Sequence, residues 1–200
     1  MRRALAIDLR RGVGTLTGPA VAITVVLGLL AHPRDWAGDW AGLSESLRYL
    51  NLIAGPVAVA SAAWQAGRER RRGLVELVAT MPQDRLRRVV ASWSAPAGWA
   101  AGGYLAAALL AAGVTKVRAG YGGPLVMVVA SGLAGLLALS AAGYALGTRL
   151  PYRLTAPLAG IGTYLALGLI SYLDGPFRYL SPAVTIQVVA GLDVGRAGAV

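Results

Sequence analysis

The chain has no cysteine, a single histidine and few charged residues for its length. The absence of cysteine excludes disulfides and thiolate metal sites, and His32 alone cannot form a multi-histidine metal centre. Only 14% of the 200 residues are charged, whereas a soluble domain carries about a quarter. The absence of cysteine excludes a disulfide-rich secreted domain, and the single histidine excludes a histidine-rich metalloenzyme.

Long apolar runs fill most of the remaining sequence. The chain is 56% hydrophobic and contains 27 glycines, and its apolar residues lie in stretches of the length that crosses a bilayer. They predict an all-α, polytopic helical membrane protein with a single transmembrane domain over residues 1–200. Five spans are predicted, at about 13–31, 47–64, 89–114, 124–147 and 154–173. The tail 183–200 is too short for a sixth span, which is therefore absent or incomplete.

Glycine pairs within the spans predict close helix contacts, because small residues let helix backbones approach each other. Three pairs have the four-residue spacing of such contacts: Gly14 with Gly18, Gly98 with Gly102, and Gly143 with Gly147. Between the first two runs, four bulky residues recur at helical spacing: Trp36, Trp40, Leu43 and Leu47. They predict a short helix at the outer membrane surface, with an ordinary loop anchored by tryptophan as the alternative.

One segment, residues 65–92, is basic and lies between apolar runs; we call it the elbow. Seven of its residues are arginine, and each would cost about 2.5–3.5 kcal/mol at the centre of a bilayer. If the N-terminus is cytoplasmic, 13 of the 19 lysines and arginines lie on the inner side. The positive-inside rule therefore predicts a cytoplasmic N-terminus and a cytoplasmic elbow. A net charge of +10 can indicate a nucleic-acid partner, but clustering between spans favours lipid surroundings and no nucleic acid.

The middle of the elbow is predicted to be an amphipathic helix. Leu74, Leu77, Val78 and Met81 form an apolar stripe, and Pro82 ends the helical pattern. An apolar stripe inside a cytoplasmic loop needs a surface that covers it. Basic loops beside spans are also common as plain topology signals and lipid contacts, and this interpretation remains open for the arginines.

The elbow and its position carry a family resemblance. The segment R-E-R-R-R-G-L-V-E-L-V-A-T-M-P, from Arg68 to Pro82, resembles the cytoplasmic elbow of the type-2 family of ABC exporter permeases, which also lies between the second and third spans. The segment F-R-Y-L-S-P, from Phe177 to Pro182, resembles the Leu-Ser-Pro segment before the last span of that family. The family has six spans, whereas five are predicted here.

The resemblance implies a permease subunit of an ATP-driven ABC exporter, which forms the substrate pathway and receives motion from a separate ATPase subunit through the elbow. It places the coupling contacts on nine residues: Glu69, Arg72, Gly73, Leu74, Glu76, Leu77, Val78, Met81 and Pro82. It implies no enzyme activity and no cofactor in this chain, with ATP and Mg²⁺ on the partner. A second permease copy or a homologous permease would complete the transporter in a bacterial plasma membrane.

The sequence also allows a second function. A non-transporting membrane anchor or assembly factor could recruit a cytoplasmic partner through the same elbow helix. The chain contains no Walker lysine motif and no catalytic constellation, and its predicted spans have no interior carboxylate for a proton relay. The residues themselves therefore support neither an enzyme nor a proton-coupled transporter.

Overall fold

The computed structural model describes residues 14–71, 85–119, 122–123, 126–150 and 152–172. These residues form helices and turns, with no strand among them. The helices within the described ranges are α1 (Gly14–Ala31), α2 (Trp40–Tyr49), α3 (Asn51–Ala66), α4 (Arg68–Arg71), α5 (Arg85–Arg118), α6 (Val126–Arg149) and α7 (Thr155–Tyr172). The predicted all-helical class is confirmed for this part of the chain.

Three of the predicted spans coincide with helices to within two residues at each end: α1, α6 and α7. The predicted second span, 47–64, is wrong at its start, because the helix is interrupted at Leu50 and α3 begins at Asn51. The predicted third span, 89–114, lies within one longer helix, α5 from Arg85 to Arg118, which includes the last part of the elbow.

The predicted short helix before the second span is present as α2. Asp39 caps its N-terminus, where the carboxylate accepts hydrogen bonds of 3.0 Å from the backbone N–H groups of Ala41 and Gly42. Leu43 and Leu47 are buried in the bundle, and α2 contacts α5 and α6. The apolar side of α2 therefore faces protein.

Helix α3 lies at the centre of the bundle and packs most extensively on α6 and α7, while α1 packs mainly on α5. The α3–α6 pair is parallel and very close. A Cβ atom added to Gly143 would lie 2.7 Å from Val59 Cα, and one added to Gly147 would lie 2.7 Å from Ala63 Cα. The close contact predicted for this glycine pair is confirmed.

The α1–α5 pair is also parallel, and its contact lies at Gly18. An added Cβ there would lie 2.8 Å from the ring of Trp99, and one added to Gly103 would lie 3.1 Å from Gly18 Cα. The prediction for Gly98 and Gly102 is wrong, because an added Cβ at either position has no neighbour within 4 Å. The neighbouring glycine, Gly103, makes the contact instead.

Two helices are long and apolar enough to cross a membrane, α5 over 86–118 and α6; α1 and α7 are shorter apolar helices. A core helix of a soluble protein can pass the same test, but such a helix is mostly buried. Here only 39% of the most apolar stretch of α5 and 22% of that of α6 is buried inside the bundle. Leucines on the outside of α5 and α7 are well exposed, including Leu109 at 73% and Leu158 at 63%.

Candidate partner-binding end of the bundle

The two ends of the bundle differ in charge. At one end, which we call the basic end, lie α4, the start of α5 and the turn between α6 and α7. The structure describes six arginine side chains in these segments: Arg68, Arg71, Arg87, Arg88, Arg149 and Arg153. The carboxylates whose side chains it describes, Asp35, Asp39 and Glu45, belong to the turn 32–39 and to α2. These lie at the other end, which we call the opposite end and which also carries Arg34, Arg48, Lys116 and Arg118.

Contacts between distant parts of the chain define these ends. At the opposite end, the hydroxyl of Thr115 near the end of α5 donates a 3.3 Å hydrogen bond to the carbonyl of Trp36. A Cβ added to Gly122 would lie 3.0 Å from the ring of Trp40. At the basic end, the charges of Arg71 and Arg153 interact. The chain therefore enters and leaves the elbow at the same end of the bundle.

Most of the predicted coupling residues lie outside the described residues: Arg72, Gly73, Leu74, Glu76, Leu77, Val78, Met81 and Pro82. Glu69 lies in α4, where the structure describes the backbone. The predicted coupling role of all nine residues stays a prediction. The structure describes the two points at which the elbow joins the bundle.

The first of these points is the end of α3. Arg71 folds back over α3, where its guanidinium lies 4.3 Å from the centre of the Trp64 ring and donates a hydrogen bond to the Trp64 carbonyl. Carbonyls at a helix C-terminus have no partner within the helix, and a cation there also opposes the negative end of the helix dipole. Arg71 therefore fixes the direction in which the chain leaves α3.

The electrostatics at this point are repulsive. The pKa of Arg71 is lowered by partial burial and, to a smaller extent, by the positive charge of Arg153. A guanidinium remains charged at neutral pH despite such a shift. The basic end thus concentrates positive charge, and a partner that brings carboxylates to this end would relieve the repulsion between Arg71 and Arg153.

We expect Arg71→Ala to destabilise the join between α3 and the elbow. An exposed cation–π contact contributes about 0.5–1 kcal/mol, and the variant also removes the hydrogen-bond donor to the Trp64 carbonyl. The thermal unfolding midpoint of the detergent-solubilised protein should therefore fall slightly. Arg153→Ala is the matched control, since it removes a like charge and should leave the midpoint unchanged or raise it. Equal losses in the two variants would contradict this account of Arg71.

The second point is the start of α5. This helix runs from Arg85 to Arg118 without a break, a length of about 50 Å at 1.5 Å per residue. It carries arginines at its first turn and reaches the opposite end of the bundle at Thr115. A displacement of the elbow at Arg85 would therefore act on one continuous helix.

A buried polar cluster, which was not predicted from the sequence, lies inside the bundle. Asn51 is fully buried, and its amide nitrogen donates a 3.0 Å hydrogen bond to the carbonyl of Gly132. Tyr104 is also fully buried, and its hydroxyl lies 3.4 Å from the carbonyl of Leu47. The sequence signal for this cluster is that Asn51 is the only asparagine in the chain and lies in an apolar run.

The charged residues that the structure describes do not converge on a metal site. Within the described ranges, no group of three or more His, Cys, Asp or Glu residues could hold a metal ion. With this geometry in view, we compared the chain with known protein families, with curated proteins and with solved structures, and none matched.

Proposed function

We propose that the protein is a multi-pass membrane subunit of an ATP-driven exporter of the type-2 family, and that an ATPase subunit docks at its basic end. One observation carries the proposal. Both joins of the elbow lie at the same basic end of the bundle, and the second continues into α5 without interruption. This arrangement suits a segment that receives motion from a partner and passes it to a spanning helix.

The exposed apolar surface supports the membrane part of the proposal. In water, contiguous apolar patches on a monomer rarely exceed a few hundred Å². Here α1 and α7 both present exposed leucines and isoleucines along their outer sides, including Leu27 at 61% and Ile161 at 58%. Lipid chains would cover this surface, with α1, α3, α5, α6 and α7 as the five spans.

The charge difference between the ends supports the orientation. Arginine and lysine are enriched on the cytoplasmic side of membrane proteins, and this enrichment supports a cytoplasmic location for the basic end. The elbow is then accessible to a cytoplasmic ATPase, which would supply the ATP and Mg²⁺ sites. A second copy of this chain, or a homologous permease, would complete the pathway for the substrate.

Coupling would work through the elbow helix and α5. The apolar stripe of Leu74, Leu77 and Val78 has the pattern of a helix that lies in a groove of a partner. Closure of the ATPase on nucleotide would move this helix, and α5 would tilt because it is continuous with the elbow. A rigid helix that shifts between two packed arrangements is one of the known forms of conformational switching.

The proposal is tested by purifying the affinity-tagged chain from its native membrane. We expect it to capture a subunit with a Walker motif and MgATP hydrolysis activity. Glu76→Ala and Gly73→Pro should each reduce this capture at least several-fold, since one removes a charged contact and the other disrupts the docking helix. The amount of each variant in the membrane measures insertion independently.

Asp39→Asn, at the opposite end, is the matched control and should retain full capture, because asparagine also caps a helix well. Capture of a partner that does not hydrolyse ATP would support the anchor function instead. Full capture of the ATPase by both elbow variants would exclude the proposed docking site.

A further inference from the structure

A groove lies at the opposite end of the bundle, between the end of α1, the turn 32–39, α2 and the start of α3. Its volume is about 580 Å³, within the range of small-molecule sites. Leu29, Leu50 and Ile53 give it apolar walls, and its lining also contains two acidic residues, Asp35 and Glu45. We propose that this groove binds a cationic amphiphile, an organic cation with an apolar body.

The charge of the lining selects the sign of the ligand. The chain has 19 lysines and arginines, yet none lines this groove, while two acidic residues and the single histidine, His32, do. Arg34 and Arg48 are close in sequence to lining residues but do not line it themselves. An organic anion would meet two like charges at short range, whereas a cation would be attracted by both.

The chemistry of the lining selects an organic cation. The described residues contain no set of three His, Cys, Asp or Glu positions that could hold a metal, so Asp35 and Glu45 form no metal cage with other described residues. Tyr49 lines the same groove and is 52% exposed, which leaves its ring available for a cation–π contact. The walls at Leu50 and Ile53 belong to the start of an apolar helix and would hold the apolar body.

The turn that carries Asp35 is held in place. The indole N–H of Trp36 donates a 2.7 Å hydrogen bond to the carbonyl of Leu29 at the end of α1. The carbonyl of Trp36 accepts from Thr115 of α5, and the amide of Asp35 donates to the carbonyl of His32. The groove is therefore largely pre-formed, and a ligand would lose little affinity to ordering of the turn.

The binding site stands without the exporter function, but the identification of its ligand as the exported substrate rests on that function. Under the proposed orientation the groove opens on the outer side of the membrane, beside the apolar start of α3. A cationic amphiphile leaving the pathway would occupy it before release.

The test uses tetraphenylphosphonium and tetraphenylborate, two ions of nearly equal shape and opposite charge. The purified chain is placed in nanodiscs of phosphatidylcholine, and binding is measured by equilibrium dialysis against empty nanodiscs. We expect saturable binding of the cation and none of the anion. Asp35→Asn and Glu45→Gln should each weaken binding of the cation about 5-fold, the effect of losing one partly screened charge contact.

Two further variants test whether the ligand binds in the groove itself or is attracted by the electrostatic potential of the whole opposite end. Asp39→Asn removes a carboxylate that does not line the groove and should leave the affinity unchanged. Ser46→Phe fills the groove with both lining carboxylates in place and should abolish binding. Equal affinity for the two ions, or unchanged binding in the Asp35→Asn/Glu45→Gln double variant, overturns the proposal.

The binding test needs no ATPase, so its failure is distinct from failure of the exporter function. Binding of the cation without capture of an ATPase would support the proposed binding site and contradict the proposed exporter function. Capture of an ATPase without binding of the cation would support the exporter function and contradict the binding site.

Discussion

Leucine in place of Gly143 is expected to separate α3 from α6 and to destabilise the bundle by about 3 kcal/mol or more, at the upper end of the usual cost of overpacking. The reason is that the nearest atoms are backbone. A Cβ at this position would lie 2.7 Å from Val59 Cα, and a helix backbone cannot rotate away as a side chain can. The thermal unfolding midpoint of the detergent-solubilised protein measures the loss.

Gly102→Leu is the control for the Gly143 variant. It places the same side chain on another long apolar helix, at an exposed position where an added Cβ has no neighbour within 4 Å. Leucine is also the better helix former, by about 0.8–1 kcal/mol over glycine, so the midpoint should hold or rise. Similar losses in the two variants would contradict the close α3–α6 contact.

Alanine in place of Tyr104 is expected to cost about 3–5 kcal/mol, the usual range for truncating a large buried aromatic residue. Tyr104 is fully buried, with 0% of its surface accessible to solvent, and it is the largest fully buried side chain among the described residues. Its ring fills the space between α2, α5 and α6, where its hydroxyl approaches the carbonyl of Leu47 and faces Gly132. Removal of the ring leaves a cavity that the surrounding helices cannot fill.

Tyr104→Phe separates packing from hydrogen bonding at the same position. The hydroxyl lies 3.4 Å from the carbonyl of Leu47, which is long for an O–H donor, so its loss should cost less than about 1 kcal/mol. Denaturant unfolding followed by helical circular dichroism measures both variants. If phenylalanine proved as costly as alanine, the polar contact rather than the ring would hold the bundle.

The positions of the helices could be predicted from sequence because long apolar runs determine them. The break at Leu50 could not be predicted in this way. Leu50, Leu52 and Ile53 are all apolar, and the single polar residue between them, Asn51, does not by itself indicate a helix end. The helix ends there because α2 turns its own apolar side, with Leu43 and Leu47, into the bundle. That choice depends on tertiary packing and leaves no local signal.

The glycine contacts show the same limit. The four-residue spacing occurs both at Gly98 with Gly102 and at Gly143 with Gly147, but only the second pair meets a neighbouring backbone. Which side of α5 faces α1 depends on how the whole helix is rotated, and spacing within one helix does not specify that rotation. Gly103, one residue later, is the contact.

The candidate sites divide in a similar way. The elbow was found from composition, because arginines in an otherwise apolar chain are conspicuous, and its coupling residues remain a prediction. The groove was missed, although its lining lies within residues 28–53. Its shape arises from the turn held by Trp36, and neither Asp35 nor Glu45 is unusual in a loop or a surface helix.

Parallel pairing of distant helices also determines when the bundle can assemble during synthesis. Asn51 and Gly132, which join α3 to α6, are 81 residues apart, and Trp36 and Thr115 are 79 residues apart. Contacts of such long sequence separation form late, because a long loop must first be closed. Helix α3 is therefore synthesised well before α6 exists, and its small-residue surface and buried asparagine lack their final partner until then.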